Sequence, residues 1–194
     1  MYLRELTEKD ENEVIKMIKE FESEKVEDPF EGIGDFENVS NYQELLKILE
    51  LNKHIEDVKP NYVSQITYGL FDETNHIYGI INIRYYLVDS LLRRGGNIGY
   101  AIRPSERNKG YAKLMLKLAL KKCKELNINK NSIYENQVLI TCRKENIASA
   151  RTIMGNGGKL AKEEYLDEYK ELEQYYWIEI WFNYLKKWIH GITY

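Results

Sequence analysis

The chain has 194 residues and a mass of 23.1 kDa, with 43% hydrophobic and 30% charged residues, as expected for one globular domain. No stretch free of Asp, Glu, Lys and Arg is long enough to cross a bilayer, and the acidic start lacks the apolar run of a secretory signal, so we expect no membrane partner. Two isolated cysteines and three histidines without ligand spacing predict no disulfide framework, no metal and a cytoplasmic location.

The first half of the chain predicts a strand, two helices and a β-hairpin, in that order. Apolar residues alternate in the strand and recur at helical spacing in the helices, whereas β-branched and aromatic residues fill both arms of the hairpin. A loop with one proline and two glycines separates the helices. The predicted strand is 2–6, and the first helix opens at Asp10 or Glu11 with its apolar stripe over 14–21. The second helical stripe covers 42–49, the loop 25–40, and the hairpin 63–71 and 76–86.

The second half predicts alternating strands and helices. Pro104 ends the first strand because it cannot continue a ladder, Asn146 caps the second helix, and a glycine cluster ends that helix. Together with the hairpin, this order predicts a mixed sheet with helices on both faces. The predicted ranges are 97–102, 138–142 and 175–180 for strands, and 110–126 and 146–155 for helices.

Charge is distributed unevenly although the net charge is only −3. Residues 20–37 contain eight acids and one base, and residues 103–124 contain eight bases and one acid. These runs are either two solvated faces or a basic site for an anion beside an acidic rim for a cation. The pI of about 5.8 argues against a nucleic-acid partner.

The most informative segment is the turn that leads into the clearest helix. It carries Arg107, Asn108, Lys109 and Gly110 directly before the first helical turn. Unpaired N–H groups, the helix dipole and two cations together favour binding of a phosphate or pyrophosphate, although a merely basic helix start would look the same. The segment matches neither a P-loop nor a dinucleotide fingerprint.

Two motifs in this half of the chain resemble the GNAT acetyltransferase superfamily. Arg107-x-x-Gly110-x-Ala112 looks like its coenzyme A motif, [Q/R]-x-x-G-x-[G/A], and VLITCRKENIASARTIMGNGG is similar to its next strand and helix. The resemblance covers residues 2–180. It implies an α/β fold with a GNAT-like mixed, splayed central sheet and helices on both faces. It also implies one domain over 1–180, with 181–194 as an aromatic, helical C-terminal extension.

The resemblance implies an N-acetyltransferase that moves an acetyl group from acetyl-CoA to an amine of a small molecule, peptide or protein. The alternatives are a non-catalytic acyl-CoA-binding or sensing module and a nucleotide-phosphate-binding regulatory domain. The implied cofactor-binding residues are the backbone of Tyr100, Ala101 and Ile102 for pantetheine, the N–H groups of Arg107, Asn108, Lys109, Gly110, Tyr111 and Ala112 for pyrophosphate, and Asn146 and Ser149 on the opposite side.

The catalytic residues are not identified by the sequence. Many family members carry a tyrosine acid seven residues after the asparagine, but here that position is Ile153. We therefore expect positioning and backbone polarisation to dominate catalysis, with the acidic run attracting a cationic amine. One of Tyr85 and Tyr86 is expected to line the acceptor cleft and the other the core. Cys142 is expected to be a buried apolar residue rather than a covalent nucleophile.

The C-terminal segment is rich in aromatic residues. Trp181, Tyr184, Leu185 and Trp188 recur at helical spacing, so a helix there would carry one aromatic stripe. The stripe would be covered either by its own domain or by a second copy in a homodimer.

Overall fold

The computed structural model describes residues 1–26, 28–37, 39–54 and 62–180. The described elements alternate much as the sequence predicts. The strands are β1 (Tyr2–Arg4), β2 (Gln65–Phe71), β3 (Ile77–Arg84), β4 (Ile98–Ile102), β5 (Gln137–Arg143), β6 (Lys159–Leu166) and β7 (Glu171–Glu179), and the α-helices are α1 (Glu11–Glu22), α2 (Tyr42–Asn52), α3 (Asp89–Arg93), α4 (Tyr111–Glu125) and α5 (Ile147–Met154). None of these helices is long and apolar enough to cross a membrane.

Within the described residues the strands form two antiparallel sheets. One has the order β1-β2-β3-β4 and the other the order β5-β7-β6, so β4 and β5 are the edges that face each other. No ladder joins these two edges. The predicted splayed sheet is therefore confirmed, and the splay lies between β4 and β5.

The first sheet has a separate hydrophobic cluster on each face. Ile80 belongs to the cluster formed with α1, α2 and the loop between them, whereas Ile81 belongs to the cluster formed with α4, α5 and the second sheet. This alternation is the two-residue period of a strand. The prediction of helices on both faces is confirmed.

A bulge in β3 places an aromatic side chain beside the start of α4. Phe71 is paired with Ile77 and Leu70 with Gly79, which leaves Tyr78 as the extra residue. The Tyr78 ring lies 4.5 Å from that of Tyr111, the first residue of α4. The bulge therefore helps to fix the start of this helix against the sheet.

The two sheets contact each other where β4 begins. The Asn97 backbone N–H donates to the Leu139 carbonyl at 2.7 Å, and the Leu139 N–H donates to the Asn97 side-chain oxygen at 2.9 Å. Asn97 is fully buried. A Cβ at Gly96 would lie 2.3 Å from the Leu139 carbonyl oxygen, so only glycine permits this approach. Beyond this contact the strands have no ladder between them.

Several elements differ from the sequence-based predictions. Strand β6 and helix α3 were not predicted, and β7 begins at Glu171 rather than at residue 175. Strand β6 has the sequence KLAKEEYL and is mostly exposed, so it lacks the apolar alternation that identifies a half-buried strand. The predicted C-terminal extension, 181–194, lies outside the described residues.

A buried carboxylate fixes the start of α1. Asp10 is 1% exposed and accepts hydrogen bonds from both terminal nitrogens of Arg4 at 2.6 and 2.7 Å. The Thr7 N–H donates at 2.8 Å and the Asn75 amide at 3.0 Å. Burial alone would raise the pKa of Asp10, but these hydrogen bonds outweigh it and hold the pKa well below its usual range. The carboxylate thus joins β1, α1 and the hairpin turn.

We predict that Asp10→Asn lowers the free energy of unfolding at pH 7 by about 2–4 kcal/mol, because Arg4 loses its counter-charge in a buried site. Asp10 has a lower pKa in the folded protein than in the unfolded chain, where the pKa is about 4. Its ionised form therefore stabilises the folded protein at a pH above about 4, and this stabilisation is lost as the pH falls below about 4. The difference in free energy of unfolding between wild type and Asp10→Asn should therefore become smaller in acid. Urea unfolding at pH 7 and pH 3 measures it, with Glu11→Gln, an exposed neighbour, as the control. Equal stability of wild type and Asp10→Asn at pH 7 would contradict the role of Asp10.

Candidate functional site

A cavity opens between the two sheets where β4 and β5 separate. Its volume is about 760 Å³. Its walls come from the end of β4, the turn before α4, the start of α5 and the loop after α1. The lining residues are Glu24, Val26, Asp28, Pro29, Glu31, Tyr100, Ala101, Ile102, Glu106, Arg107, Asn108, Gly110, Tyr111, Ala112, Lys113, Arg143, Asn146, Ala148, Ser149, Arg151 and Thr152.

The turn before α4 presents a row of free N–H groups to this cavity. Asn108 and Gly110 both adopt the left-handed conformation, with φ of 62° and 85°. The backbone N–H groups of residues 108–113 have no acceptor among the described residues, and the next, that of Leu114, bonds to the Gly110 carbonyl. A Cβ at Gly110 would meet open space. Free N–H groups at a helix start are the arrangement on which the predicted phosphate site depends.

The edge of β4 that faces the cavity has unpaired backbone groups. The Arg103 N–H donates to the Tyr78 carbonyl at 3.0 Å and is therefore directed towards β3. By the two-residue period, the backbone groups of Tyr100 and Ile102 point the other way, towards the gap. The Ile102 carbonyl accepts from the Arg107 side chain at 3.1 Å, in agreement with that direction. The backbone groups of Tyr100 and the Ile102 N–H have no hydrogen-bond partner among the described residues, whereas the Ile102 carbonyl is occupied by Arg107. The loop after α1 also approaches Tyr100 closely, because a Cβ on Gly32 would lie 3.0 Å from the Tyr100 nitrogen and oxygen.

The start of α5 faces the same gap from the second sheet. The Asn146 side-chain oxygen accepts from the Ser149 N–H at 3.0 Å, so the predicted cap is present. The Ser149 hydroxyl lies 3.0 Å from the Tyr100 hydroxyl. This contact bridges the gap between β4 and α5.

Arginines neutralise part of the acidic run in residues 20–37. Glu20 accepts from Arg103 at 2.7 Å, and Glu24 accepts from both terminal nitrogens of Arg107 at 2.5 and 2.8 Å. Glu31 accepts from Arg143 at 2.5 Å. These ion pairs attach the segment after α1 to the site, and they weaken the expectation that the run attracts an amine from a distance.

Two cations in the first cavity remain available to a ligand. Lys113 on α4 and Arg151 on α5 have no carboxylate partner within 4 Å in the described part of the chain. The Lys113 side chain extends to the end of α5, where a Cβ on Gly155 would lie 3.5 Å from its Nζ. Neither cation can be identified from the sequence, because a single cation on a helix is ordinarily solvated.

A second, smaller cavity adjoins the first on the other side of Tyr100 and Ser149. Its volume is about 410 Å³. Tyr100, Ser149, Asn146 and Glu31 line both cavities, so the two meet at these residues. The second cavity is lined by Glu31, Gly32, Arg84, Ser90, Leu91, Arg94, Gly95, Ile98, Gly99, Tyr100, Ile140, Thr141, Cys142, Asn146, Ser149, Tyr169 and Glu173.

Burial makes the tyrosine and the thiol at this junction weak acids. It raises the pKa of Tyr100 to about 12, although the hydrogen bond to Ser149 acts in the other direction. It raises the pKa of Cys142 to about 11, so the thiol is protonated at neutral pH. A thiol is a poor nucleophile in that form, which agrees with the interpretation of Cys142 as a buried apolar residue.

The structure brings together most of the site residues selected from the sequence. Ten of them line the first cavity: Tyr100, Ala101, Ile102, Arg107, Asn108, Gly110, Tyr111, Ala112, Asn146 and Ser149. Lys109 does not line it, because its ammonium group binds the Ser105 carbonyl and Glu106 at 2.9 and 3.0 Å. The backbone N–H of Lys109 still belongs to the free row described above.

The expectation for Tyr85 and Tyr86 is wrong in part. Tyr85 packs against the larger hydrophobic cluster, as one of the two was expected to do. Tyr86 is 38% exposed and lines neither cavity, because β3 ends at Arg84 and Arg84 itself reaches the second cavity. Among the described residues, no group of three or more His, Cys, Asp or Glu is arranged to hold a metal ion.

The sequence matches one protein-family model over most of its length. The model, described as an acetyltransferase (GNAT) domain, matches residues 1–159. No curated protein sequence matches the chain at a significant level.

Solved structures share the fold at low sequence identity. The chain is similar to the spermidine N-acetyltransferase of Vibrio cholerae in complex with CoA and spermine, at 15% identity and a TM-score of 0.56, covering 91% of this chain and 94% of that one. A Salmonella typhimurium acetyltransferase that modifies the N-terminal serine of a ribosomal subunit protein has 15% identity, a TM-score of 0.60, and coverage of 91% and 93%. A GNAT acetyltransferase from Streptococcus pneumoniae has 17% identity, a TM-score of 0.58, and coverage of 92% and 98%.

Proposed function

Because the chain belongs to the GNAT acetyltransferase family, we propose that the first cavity holds acetyl-CoA and the second holds an amine that receives the acetyl group. The chain is an acyltransferase, and its co-substrate is acetyl-CoA. The acceptor is an amine of a small molecule or a peptide. The observation that carries this assignment is the meeting of the two cavities at Tyr100 and Ser149.

The pyrophosphate of the co-substrate fits the start of α4. The N–H groups of residues 108–113 have no acceptor among the described residues, and the helix dipole adds positive potential at this end of α4. Lys113 and Arg151, which line the same cavity, supply formal charge for phosphate groups. Arg107 offers less than the sequence predicts, because its guanidinium is held by Glu24 and its backbone N–H donates to the Pro104 carbonyl at 3.3 Å. The row of free N–H groups therefore begins at Asn108.

The pantetheine arm fits the open edge of β4. Its two amides can pair with the backbone groups of Tyr100 and with the Ile102 N–H, as an added strand would. This arrangement carries the thioester along β4 towards the second cavity. A backbone N–H of β4 then polarises the thioester carbonyl, and the negative charge that develops on that oxygen is stabilised.

The position at which many family members carry a tyrosine as general acid is occupied here by Ile153, which cannot donate a proton. Ile153 is fully buried in the core. Tyr100 is the tyrosine of the junction, but a hydroxyl with a pKa of about 12 is a weaker acid than a thiol and gives up its proton to a thiolate unfavourably. Catalysis therefore depends on alignment of the two substrates and on backbone polarisation.

The proposed activity is tested by release of CoA. The full chain is incubated with acetyl-CoA, with and without a panel of amines that contains polyamines, amino acids and short peptides. We expect CoA release that requires an amine, together with a product heavier by one acetyl group in mass spectrometry. Tight binding of acetyl-CoA without amine-dependent release would instead indicate a sensing module, and preference for ATP over CoA would indicate a nucleotide-binding domain.

We predict that Gly110→Val weakens CoA binding at least about tenfold. A branched side chain would occupy the space in front of the free N–H groups, and each contact at a helix start contributes about 0.3–1 kcal/mol or more. Gly157→Val is the matched control, because Gly157 has the same kind of backbone, with φ of 90° against 85°, and a Cβ there also meets open space outside the cavity. The affinity of each folded variant for CoA is measured by calorimetry, and the two affinities are compared. Equal affinities would argue against the helix start as the pyrophosphate site.

We also predict that Tyr100→Phe lowers kcat by less than about tenfold. A dedicated proton donor is typically worth about 10²–10⁴-fold, and the raised pKa of Tyr100 is unsuited to that role. The variants Tyr85→Phe, Tyr86→Phe and Tyr111→Phe complete the series. A loss of a hundredfold or more in any one of them, with unchanged CoA affinity, would reveal a tyrosine acid and contradict this prediction.

A further inference from the structure

The second cavity contains a buried carboxylate that no residue neutralises directly. Glu173 on β7 is 2% exposed, and its Oε2 has no hydrogen-bond partner among the described residues. The Thr141 hydroxyl, which accepts from the Gly95 N–H at 2.9 Å, lies near the carboxyl group and lowers its pKa. A buried carboxylate oxygen without a partner is costly, so its presence in a cavity wall indicates a ligand that donates to it.

The other charges around Glu173 are already paired with one another. Arg94 lies 2.6 Å from Glu171 and 3.6 Å from Glu31, and Arg143 lies 2.5 Å from Glu31. Burial raises the pKa of Glu173, and the negative charges of Glu171 and Glu31 add to that effect, whereas Thr141 and Arg94 oppose it. A carboxylate with a raised pKa is a stronger base than an exposed one.

The same cavity contains a cation without an ion pair. Arg84, at the end of β3, donates from Nη1 to the carbonyls of Gly95 and Gly96 at 3.3 and 3.1 Å. No carboxylate of the described chain lies within 4 Å of it, and Asp35 influences it electrostatically from a greater distance. An arginine remains charged even when it is buried, so the cavity wall contains a fixed positive charge.

We propose that the second cavity selects a small amine that also carries a carboxylate, with the amine on Glu173 and the carboxylate on Arg84. This inference rests on the acetyl transfer proposed above and names its acceptor class. A zwitterion of this kind satisfies both uncompensated groups. A polyamine would satisfy Glu173 but would place further positive charge near Arg84.

Glu173 then acts as the general base of the transfer. Its carboxylate takes one proton from the acceptor ammonium, which leaves a neutral amine. The amine nitrogen bonds to the acetyl carbonyl carbon, the carbon–sulfur bond breaks, and sulfur leaves with the electron pair and takes a second proton from nitrogen. Glu173 later releases its proton to solvent. One ammonium and acetyl-CoA thus give one amide, CoA thiol and one proton.

The acceptor class is tested with matched pairs of amines that differ in the carboxylate. Lysine is compared with cadaverine, phenylalanine with phenethylamine, and γ-aminobutyrate with propylamine, and spermidine and a short peptide are included. We expect kcat/KM to be at least about tenfold higher for the carboxylate member of at least one pair, and spermidine to be poor. Equal or higher kcat/KM for the decarboxylated members or for spermidine would overturn the proposal, and so would a preference for the peptide over every free amino acid.

Variants test the two residues separately. Arg84→Gln should raise KM for the amine that carries a carboxylate, so that this amine is no longer preferred over its decarboxylated partner. Arg84→Lys, which keeps a positive charge, should retain part of the preference. Arg93→Gln, a neighbouring exposed arginine paired with Glu168, is the control. If Arg84→Gln remains folded and still prefers the carboxylate member of the pair, Arg84 does not bind the carboxylate. If Arg84→Gln fails to fold, the proposal is tested by Arg84→Lys and by the comparison of amine pairs with the wild-type protein.

Glu173→Gln should lower kcat by about 10²-fold or more at neutral pH and remove the acidic limb of the pH–rate profile. Its affinity for CoA should be unchanged, which separates failure of this inference from failure of the proposed function. Glu164→Gln, a partly exposed carboxylate opposite Glu173 in the β6–β7 ladder, is the control. A Glu173→Gln variant with wild-type kcat and pH profile would exclude Glu173 as the base.

Discussion

The site depends on the contact between the two sheets at the start of β4. The backbone and side chain of Asn97 bind Leu139, and Gly96 allows the strands to approach there because any Cβ would strike the Leu139 carbonyl. Beyond this point β4 and β5 diverge, and each leaves an unpaired edge. Unpaired edges inside a protein are unfavourable unless something satisfies them. The gap is therefore a binding site because of how the strands are joined.

The elements around the gap supply complementary parts of one reaction. The start of α4 offers N–H groups to an anion, the edge of β4 offers backbone to an extended chain, and the second cavity offers Glu173 and Arg84 to an acceptor. Tyr100 and Ser149 stand where the two cavities meet. In the proposed reaction the acetyl group and the amine meet at this junction, where fixed dipoles shielded from water are more effective than in bulk solvent.

Several parts of the fold could be predicted from the sequence because they depend on the properties of a few neighbouring residues. The turn residues 72–75 identify the hairpin, the amide of Asn146 identifies the start of α5, and Gly110 identifies the left-handed turn before α4. These features depend on residues close in sequence. The resemblance to GNAT acetyltransferases then identified acetyl-CoA as the expected ligand. Strand β6 escaped detection because its side chains are charged and exposed, so its pairing with β7 is set by backbone contacts.

The residues of the second cavity that are proposed to bind the acceptor could not be identified from the sequence, because their burial depends on residues far away along the chain. Glu173 looks like one of many surface acids, and only its position between β5 and β6 buries it. Whether an arginine is paired depends on residues far away along the chain, as for Arg94 with Glu31 and Arg84 without a carboxylate. Burial and pairing of charges are properties of the tertiary structure.

A crystal structure of the protein with acetyl-CoA tests the central claim most directly. The account predicts pyrophosphate on the N–H groups of residues 108–113, pantetheine along the open edge of β4, and the thioester beside Tyr100 and Ser149, facing the second cavity. Acetyl-CoA bound with its pyrophosphate away from α4, or with its thioester outside the gap between β4 and β5, would contradict it.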